Sequence, residues 1–311
     1  MEEKLDNLSF FCIEFSFYAK EQVHMDYWFG AVLRSRFLNK AEEITNEQGV
    51  SLRTLINTLP LPESHFMYKQ LKGGFPKGFV FDCSGIPYQH PGFTLEANTV
   101  YTITLYLVGN CAEQHNLYIE ATRLMLEEGF NETPLHVTEI NPKGRFSIPE
   151  LPFTQETKRL ELYFLTPVNL VHIQNESTTG FQGKLNNFPS FYQFMRSVAY
   201  RMLSLKMLYT EQSNCFSTRD EMDKAVDEYI TAALGPVIQS ANIRLEKRYS
   251  TPKLGKNHLS SFEGYTGRIV FNDVPTRYFA LLVFASALNI GTDINYGLGA
   301  FRVKFNTKYN L

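Results

Sequence analysis

The chain has 311 residues, 44% of them hydrophobic and 14% aromatic, and a formal net charge of −2 at pH 7. That length fills one large core or two ordinary ones, and two domains are expected. The near-neutral charge excludes a global field for polyanions, so any nucleic-acid surface has to be a local patch.

In chain order, residues 8–18 open crowded with aromatics and then alternate Ile13, Phe15 and Phe17 against Glu14, Ser16 and Tyr18. That pattern predicts a strand with one face buried. Residues 27–40 have helical spacing, with Trp28, Val32, Leu33 and Phe37 on one side, Arg34 near the other, and Asp26 as the N-cap. Residues 60–93 are broken by prolines and glycines and predict long turns around a short strand at 78–82. Ile103, Leu105 and Leu107 alternate with Thr102, Thr104 and Tyr106 in a second strand over 101–108. Residues 117–128 predict an amphipathic helix closed by Gly129, and 135–140 with 144–148 predict a closing hairpin. The order β, α, turns, β, α, β suits a ferredoxin-like unit decorated by loops.

A Pro/Thr/Gln-rich joint at 149–157 divides the chain into 1–150 and 151–311. Residues 159–164 predict a strand ended at Pro167, with 170–173 continuing beyond it. A long helix over 188–209 carries Phe191, Phe194, Met195, Val198, Met202, Leu205 and Leu208. A second helix at 220–234 stops at Gly235-Pro236. Strands at 238–249 and 266–271, a helix at 276–290, a glycine-rich loop at 291–299 and a strand at 301–305 complete the half. The fold class is α+β, with two related modules side by side.

Gly291, Gly297 and Gly299 fall within nine residues. Glycine lets backbone N–H groups approach another chain or a phosphate without a Cβ in the way. The helix–loop–strand order differs from nucleotide-binding loops, leaving a tight turn or an RNA-backbone or intramolecular anchor. Arg302 and Lys304 share one face of the last strand and become candidates for phosphate contacts. A second basic patch is Arg244, Lys247, Arg248, Lys253 and Lys256, opposed only by Glu246, at a predicted hairpin tip. A third is Arg34, Arg36 and Lys40, of which Arg36 and Lys40 share a side of the first helix.

Four scattered cysteines have no CxxC or CxxxH spacing, so neither disulfides nor zinc is expected, and a reducing cytoplasm fits them. The acidic start is unlike a secretory signal, and the longest apolar stretch, 278–290, is short of the roughly 20 residues that cross a bilayer. Nothing points to a membrane or a cofactor. No Gly-x-Ser-x-Gly, HExxH or Walker loop is present. The seven histidines lack metal spacing. His24 stands out, between the first strand and first helix, beside Tyr27 and upstream of Arg34, Arg36 and Lys40. A histidine so placed suits proton transfer at a phosphodiester; a loop histidine with no role is the plain alternative. His65, near Tyr68, Lys69 and Lys72, is the second candidate.

Three blocks then carry a resemblance: Gly264-Tyr-Thr-Gly267-Arg-Ile-Val-Phe271, the apolar run 280–291, and Asn295-Tyr-Gly297-Leu-Gly299-Ala-Phe-Arg-Val303. Together they resemble the C-terminal domain of the CRISPR-associated precursor-crRNA-processing endoribonucleases of the RAMP superfamily. Leu162-Tyr-Phe-Leu-Thr-Pro167 and the long helix with Arg201 are similar to the opening of that domain, and residues 27–37 resemble the family's first helix. The likeness covers most of 159–303 and, more loosely, 9–130.

It implies tandem ferredoxin-like (RRM-like) domains, the catalytic residues in 1–150 and a RAMP domain in 151–311. It also implies metal-independent cleavage of CRISPR repeat RNA in antiviral defence. The ribose 2′-hydroxyl attacks the phosphate, leaving a cyclic phosphate and a 5′-hydroxyl. Relatives often place a histidine near the first helix, and His24 is the positional match, with Tyr27 or a basic residue, Lys40, assisting. The segment 129–133 departs from the family by lacking a second glycine-rich turn. The alternative is a non-catalytic crRNA-binding subunit of an effector complex. Expected partners are repeat RNA, effector-complex proteins and a second copy of the chain in a homodimer.

Overall fold

The computed structural model describes residues 5, 7–72, 74–148, 157–170, 190–211, 215–250 and 261–305. The first half runs β1 (Ser9–Ala19), β2 (Val23–Met25), α1 (Phe29–Glu43), α2 (Leu52–Asn57), α3 (Tyr68–Leu71), β3 (Phe79–Asp82), β4 (Tyr88–Gln89), β5 (Gly92–Leu95), β6 (Tyr101–Val108), α4 (His115–Glu128) and β7 (Leu135–Ser147). The second runs β8 (Thr157–Val168), α5 (Phe191–Tyr209), α6 (Arg219–Ile230), β9 (Val237–Tyr249), β10 (Ser261–Pro275), α7 (Phe279–Leu288) and β11 (Phe301–Phe305).

Two four-stranded antiparallel sheets result, ordered β3-β6-β1-β7 and β11-β8-β10-β9. Each places the last strand of a βαββαβ unit beside its first and the third beside the first on the other side, which is ferredoxin-like twice over. An inserted three-stranded sheet, β2-β5-β4, sits on the first unit.

Alternation decides what each face buries. Ile13, Phe15 and Phe17 of β1 and Ile103, Leu105 and Leu107 of β6 are buried in one core with Phe29 and Phe37 of α1 and Tyr118 of α4. Leu160, Leu162 and Phe164 of β8 go beneath α5 and α7 with Ile269, Phe271 and Phe301. A capping box of Ser190 and Gln193 starts α5. The two cores exchange residues: Phe10, Cys12 and Val108 belong to the C-terminal core, and Phe262 and Leu298 to the N-terminal one.

Several elements differ from the sequence reading. Asp26 does not cap α1; Trp28 holds that position without a side-chain cap, and the Asp26 carboxylate turns to His24. The predicted hairpin at 135–148 is the single strand β7. Register shifts opposite Cys12/Ile13 and Ser16/Phe17 accommodate its irregularities, and an edge strand tolerates Pro142 without its N–H. β8 runs past Pro167 to Val168, where β10 also shifts register. Thr218 starts α6 one residue early, and a 3-10 turn, Thr231–Leu234, follows it. Residues 188–189, the joint at 149–156 and the continuation at 171–173 lie outside the described residues.

Candidate nucleic-acid interface and proton-transfer site

The face of the C-terminal sheet turned away from α5 and α7 is strongly basic, and register assembles it. Arg159, Glu161 and Tyr163 alternate along β8 with its buried residues. Arg302 lies directly opposite Tyr163 and Lys304 opposite Glu161 on one side, and Arg268 lies opposite Tyr163 on the other. Asn242 faces Arg268, and Arg244 faces Thr266, extending the face along β9 towards Glu246 and Arg248. Glu161 is the hub: it accepts from the Tyr163 hydroxyl at 2.6 Å and from Arg268 Nε at 3.1 Å, with Arg159 at 3.3 Å. Those contacts, the Tyr163 hydroxyl first and then Arg268, hold its carboxyl below the usual carboxylate range. Arg302 and Lys304 stand exposed.

Four of the cations expected to contact RNA, Arg244, Arg248, Arg302 and Lys304, thus share one sheet face. Lys247 points from the opposite face of β9 and pairs with Glu263 at 3.1 Å. Lys253 and Lys256 lie outside the described residues. Sequence reasoning missed Arg159, Tyr163 and Arg268. Period-two alternation in Arg159-Leu-Glu-Leu-Tyr163 was a readable signal for the first two.

Where this face meets the N-terminal domain, the Arg248 guanidinium lies 3.6 Å from the ring centre of Tyr88 and 4.4 Å from that of Trp28. Burial pulls its pKa below the ordinary arginine value and pushes the Tyr88 phenol upward. The Tyr88 hydroxyl donates to the Lys247 carbonyl at 2.9 Å, and the Trp28 amide donates to the Tyr249 carbonyl at 2.8 Å. A cleft of about 230 Å³ opens here, with Ser84 and Thr166 also in its wall.

The glycine-rich loop packs against the other domain. Gly291, Gly297 and Gly299 have φ of 92°, 70° and 75°, the left-handed range that favours glycine. The amides of Thr292, Tyr296, Gly297 and Gly299 donate to the carbonyls of Asn169, Asp293, Ile294 and Pro167, and that of Ala300 to Thr166 Oγ1. In this arrangement the glycines serve close packing and internal hydrogen bonding. The Trp28 indole donates to the Tyr296 carbonyl, and Arg34 lies 4.6 Å from the Tyr296 ring centre. A Cβ on Gly30, in the first turn of α1, would run into that same carbonyl. Nearby, Lys77 Nζ donates to the Ile56 carbonyl at 3.1 Å and sits 3.7 Å from the Phe75 ring centre. Burial, then the charge of Arg34, brings the Lys77 pKa down to about 8.

His24 lies on β2 directly across from Thr94 on β5. Its Nδ1 is 3.0 Å from Thr94 Oγ1, which donates to Gln89 Oε1 at 3.1 Å; its Nε2 is 3.2 Å from Asp26 Oδ1. The Asn131 side chain donates to the His24 carbonyl. Thr94 is buried, whereas the His24 and Asp26 side chains are 57% and 70% exposed, so one nitrogen is anchored on a buried hydroxyl and the other on a solvent-exposed carboxylate. Tyr27 is half-buried against the N-terminal core. Arg36 and Lys40 share a side of α1 and both reach Glu128 of α4, at 3.7 and 2.8 Å. The Glu128 and Glu43 carboxylates raise the Lys40 pKa. His65 is buried and stacks on Phe66. Sequence reasoning missed Thr94 and Gln89, which only strand pairing brings to His24.

Among the described residues no helix is long and apolar enough to cross a membrane. Residues 162–301, from β8 to the start of β11, match the sequence model of the family described as CRISPR-associated endoribonuclease Cas6. No curated protein sequence matches the chain. Among solved structures, a Cas6 (TTHB231) product complex aligns with a TM-score of 0.56 at 12% identity, covering 95% of this chain and 99% of that one. A second, the Cas6 (TTHA0078) product complex, aligns at 0.51 with 12% identity, covering 95% and 99%. A partial Cas6-RT-Cas1–Cas2 complex aligns at 0.54 with 9% identity, and there 98% of this chain corresponds to 47% of the longer one. At such identities the structural likeness speaks to the fold, the tandem ferredoxin-like domains. The sequence match over the second domain, residues 162–301, adds a likeness to the CRISPR-associated endoribonuclease Cas6 family.

Proposed function

We propose that the chain is a metal-independent endoribonuclease that cuts CRISPR repeat RNA within precursor crRNA. The observation that carries this reading is the basic sheet face of the second domain, which ends at the Trp28–Arg248 contact, four residues along the chain from His24. In it, residues 151–311 hold RNA phosphates through Arg244, Arg302 and Lys304, together with Arg159 and Arg268, while the buried Arg248 meets the RNA at the domain junction. Residues 1–150 supply proton transfer.

The ribose 2′-hydroxyl forms a new bond to phosphorus as the bond from phosphorus to the 5′ oxygen breaks. One proton leaves the 2′-hydroxyl and one reaches the 5′ oxygen, giving a 2′,3′-cyclic phosphate and a 5′-hydroxyl. His24 is the proton-transferring group, held through Nδ1 and reacting through Nε2 once the exposed Asp26 carboxylate gives way to the RNA. Tyr27 and Lys40 are its proposed assistants; Lys40 must exchange the Glu128 carboxylate for a phosphate oxygen to steady the developing charge. Arg34, Arg36, Lys247, Lys253, Lys256 and the glycine-rich loop complete the proposed RNA-contacting set. The partners are precursor crRNA and proteins of a CRISPR effector complex, in the cytoplasm.

The test is incubation with repeat RNA in EDTA, with and without a 2′-deoxy substitution at the cut site. One cut, abolished by the substitution, is expected. RNA bound but left whole across all natural repeats of the host would favour a binding subunit and remove the catalytic reading.

A further inference from the structure

The cleft between the domains has polar groups left over. Its wall includes Trp28, Tyr88, Thr166, Arg244, Glu246 and Arg248. Arg248 is only 5% exposed, and its Nε meets no hydrogen-bond acceptor although a terminal nitrogen pairs with Glu246 Oε1. Glu246 Oε2 accepts from Thr266 Oγ1 at 3.1 Å and from Arg244 at 3.2 Å. The Arg244 side chain is 80% exposed, so water or another donor can replace it. A carboxylate offers about four lone-pair sites. Glu246 Oε1 is buried against Arg248, so the acceptor capacity a ligand meets is on Oε2, freed when Arg244 swings out. A buried guanidinium N–H without an acceptor is unfavourable, and a ligand that brings one removes the penalty.

At about 230 Å³ the space is below that of a drug-sized pocket, about 300–1,000 Å³, and suits one flat heterocycle. A carboxylate beside a guanidinium selects among the bases. Guanine carries two adjacent donors, N1–H and the N2 amine, next to two acceptors, O6 and N7. Adenine has a bare N1 and cytosine a bare N3 where the carboxylate needs a donor, and uracil offers one N–H between two carbonyls.

We propose that this cleft takes one unpaired guanine of the bound RNA, with N1–H and the N2 amine donating to Glu246 and O6/N7 accepting from Arg248. It rests on the RNA-binding reading given above but not on His24 or on cleavage. Recognition of a single splayed base by its edges is the usual route to sequence-specific RNA binding.

Trp28 is the only tryptophan in the chain and lines the cleft, so its fluorescence reports occupancy. The full chain is titrated with GMP, IMP, AMP and inorganic phosphate, beside a gel-shift assay with repeat RNA. GMP is expected to change Trp28 emission and to bind about tenfold more tightly than AMP. IMP, which lacks the N2 amine, falls between them, and phosphate is silent. Glu246→Gln is expected to abolish the preference for GMP. Equal responses to GMP and AMP, or a response that phosphate alone reproduces, would overturn the proposal. So would a GMP preference that survives in Glu246→Gln. Should that variant lose its circular dichroism, the GMP–IMP difference in the natural chain decides instead: no difference overturns the proposal. RNA binding without nucleotide preference sinks the guanine site alone; no RNA binding sinks the reading beneath it.

Discussion

The Trp28 indole N–H donates to the Tyr296 carbonyl across 2.6 Å, joining the start of α1 in the first domain to the glycine-rich loop of the second. Gly30 lets the backbones close to that distance. The same residue, Trp28, carries the Arg248 guanidinium over its ring and donates its amide to Tyr249. One side chain therefore fixes the basic sheet face relative to the segment that holds His24.

Gly30→Ala forces a methyl into the Tyr296 carbonyl. Overpacking of this kind costs about 1–3 kcal/mol, and urea unfolding should show a lower midpoint with an unchanged slope. An unchanged midpoint would mean that the two domains do not approach as closely as described.

His24→Ala should slow single-turnover cleavage about 10²–10⁴-fold while leaving RNA affinity near its natural value. A rate that holds steady would remove His24 from the chemistry.

Thr94→Val keeps the shape beside His24 and removes the oxygen that holds Nδ1. Loss of one hydrogen bond, about 1 kcal/mol, corresponds to about a fivefold fall in kcat with KM unchanged. Thr94→Ser restores the oxygen and should restore the rate, which a purely steric role for Thr94 would not produce.

Arg302→Ala and Lys304→Ala should weaken RNA binding across all sequences. The slope of log affinity against log salt should shrink by about 0.7 for each single-strand phosphate deprived of its cation. A slope that stays constant would take these two side chains off the RNA.

Lys77 has a folded pKa of about 8, below its ordinary 10.5. Between those values the unfolded chain binds more protons, so stability rises as pH climbs from about 8 to 10.5; the unfavourable contribution is complete below that window and gone above it. The full shift corresponds to about 3 kcal/mol, and partial solvent access reduces the expected effect to about 1 kcal/mol. Unfolding midpoints of Lys77→Met and the natural chain, compared at pH 7 and pH 10.5, should differ in the variant's favour at the lower pH and converge at the higher.

The tandem ferredoxin-like order was legible because Ile13–Phe17 and Ile103–Leu107 alternate cleanly, and because the long helix repeats its apolar residues at helical spacing. Pro142 and Gly144 read as a turn because a bulge is a property of strand pairing, invisible in one strand alone. The inserted sheet was hidden for a related reason: β2, β4 and β5 are two to four residues each, too short to show a period. Arg302 and Lys304 could be placed on one face by counting. Arg268 joins them only through its register with Tyr163. Lys40 looked available until the fold brought Glu128 of α4 to within 2.8 Å of it.

The exchange of core residues bears on how the chain is made. Phe262 and Leu298 complete the N-terminal core, yet translation delivers them after nearly everything they pack against. Until then the earlier domain has apolar surface without its cover, and Phe10 and Val108 wait for a core not yet synthesised. Exposed patches of that kind are where nascent chains aggregate or recruit chaperones. The closing of each half upon the other is therefore an assembly step that waits for the segment from Phe262 to Leu298.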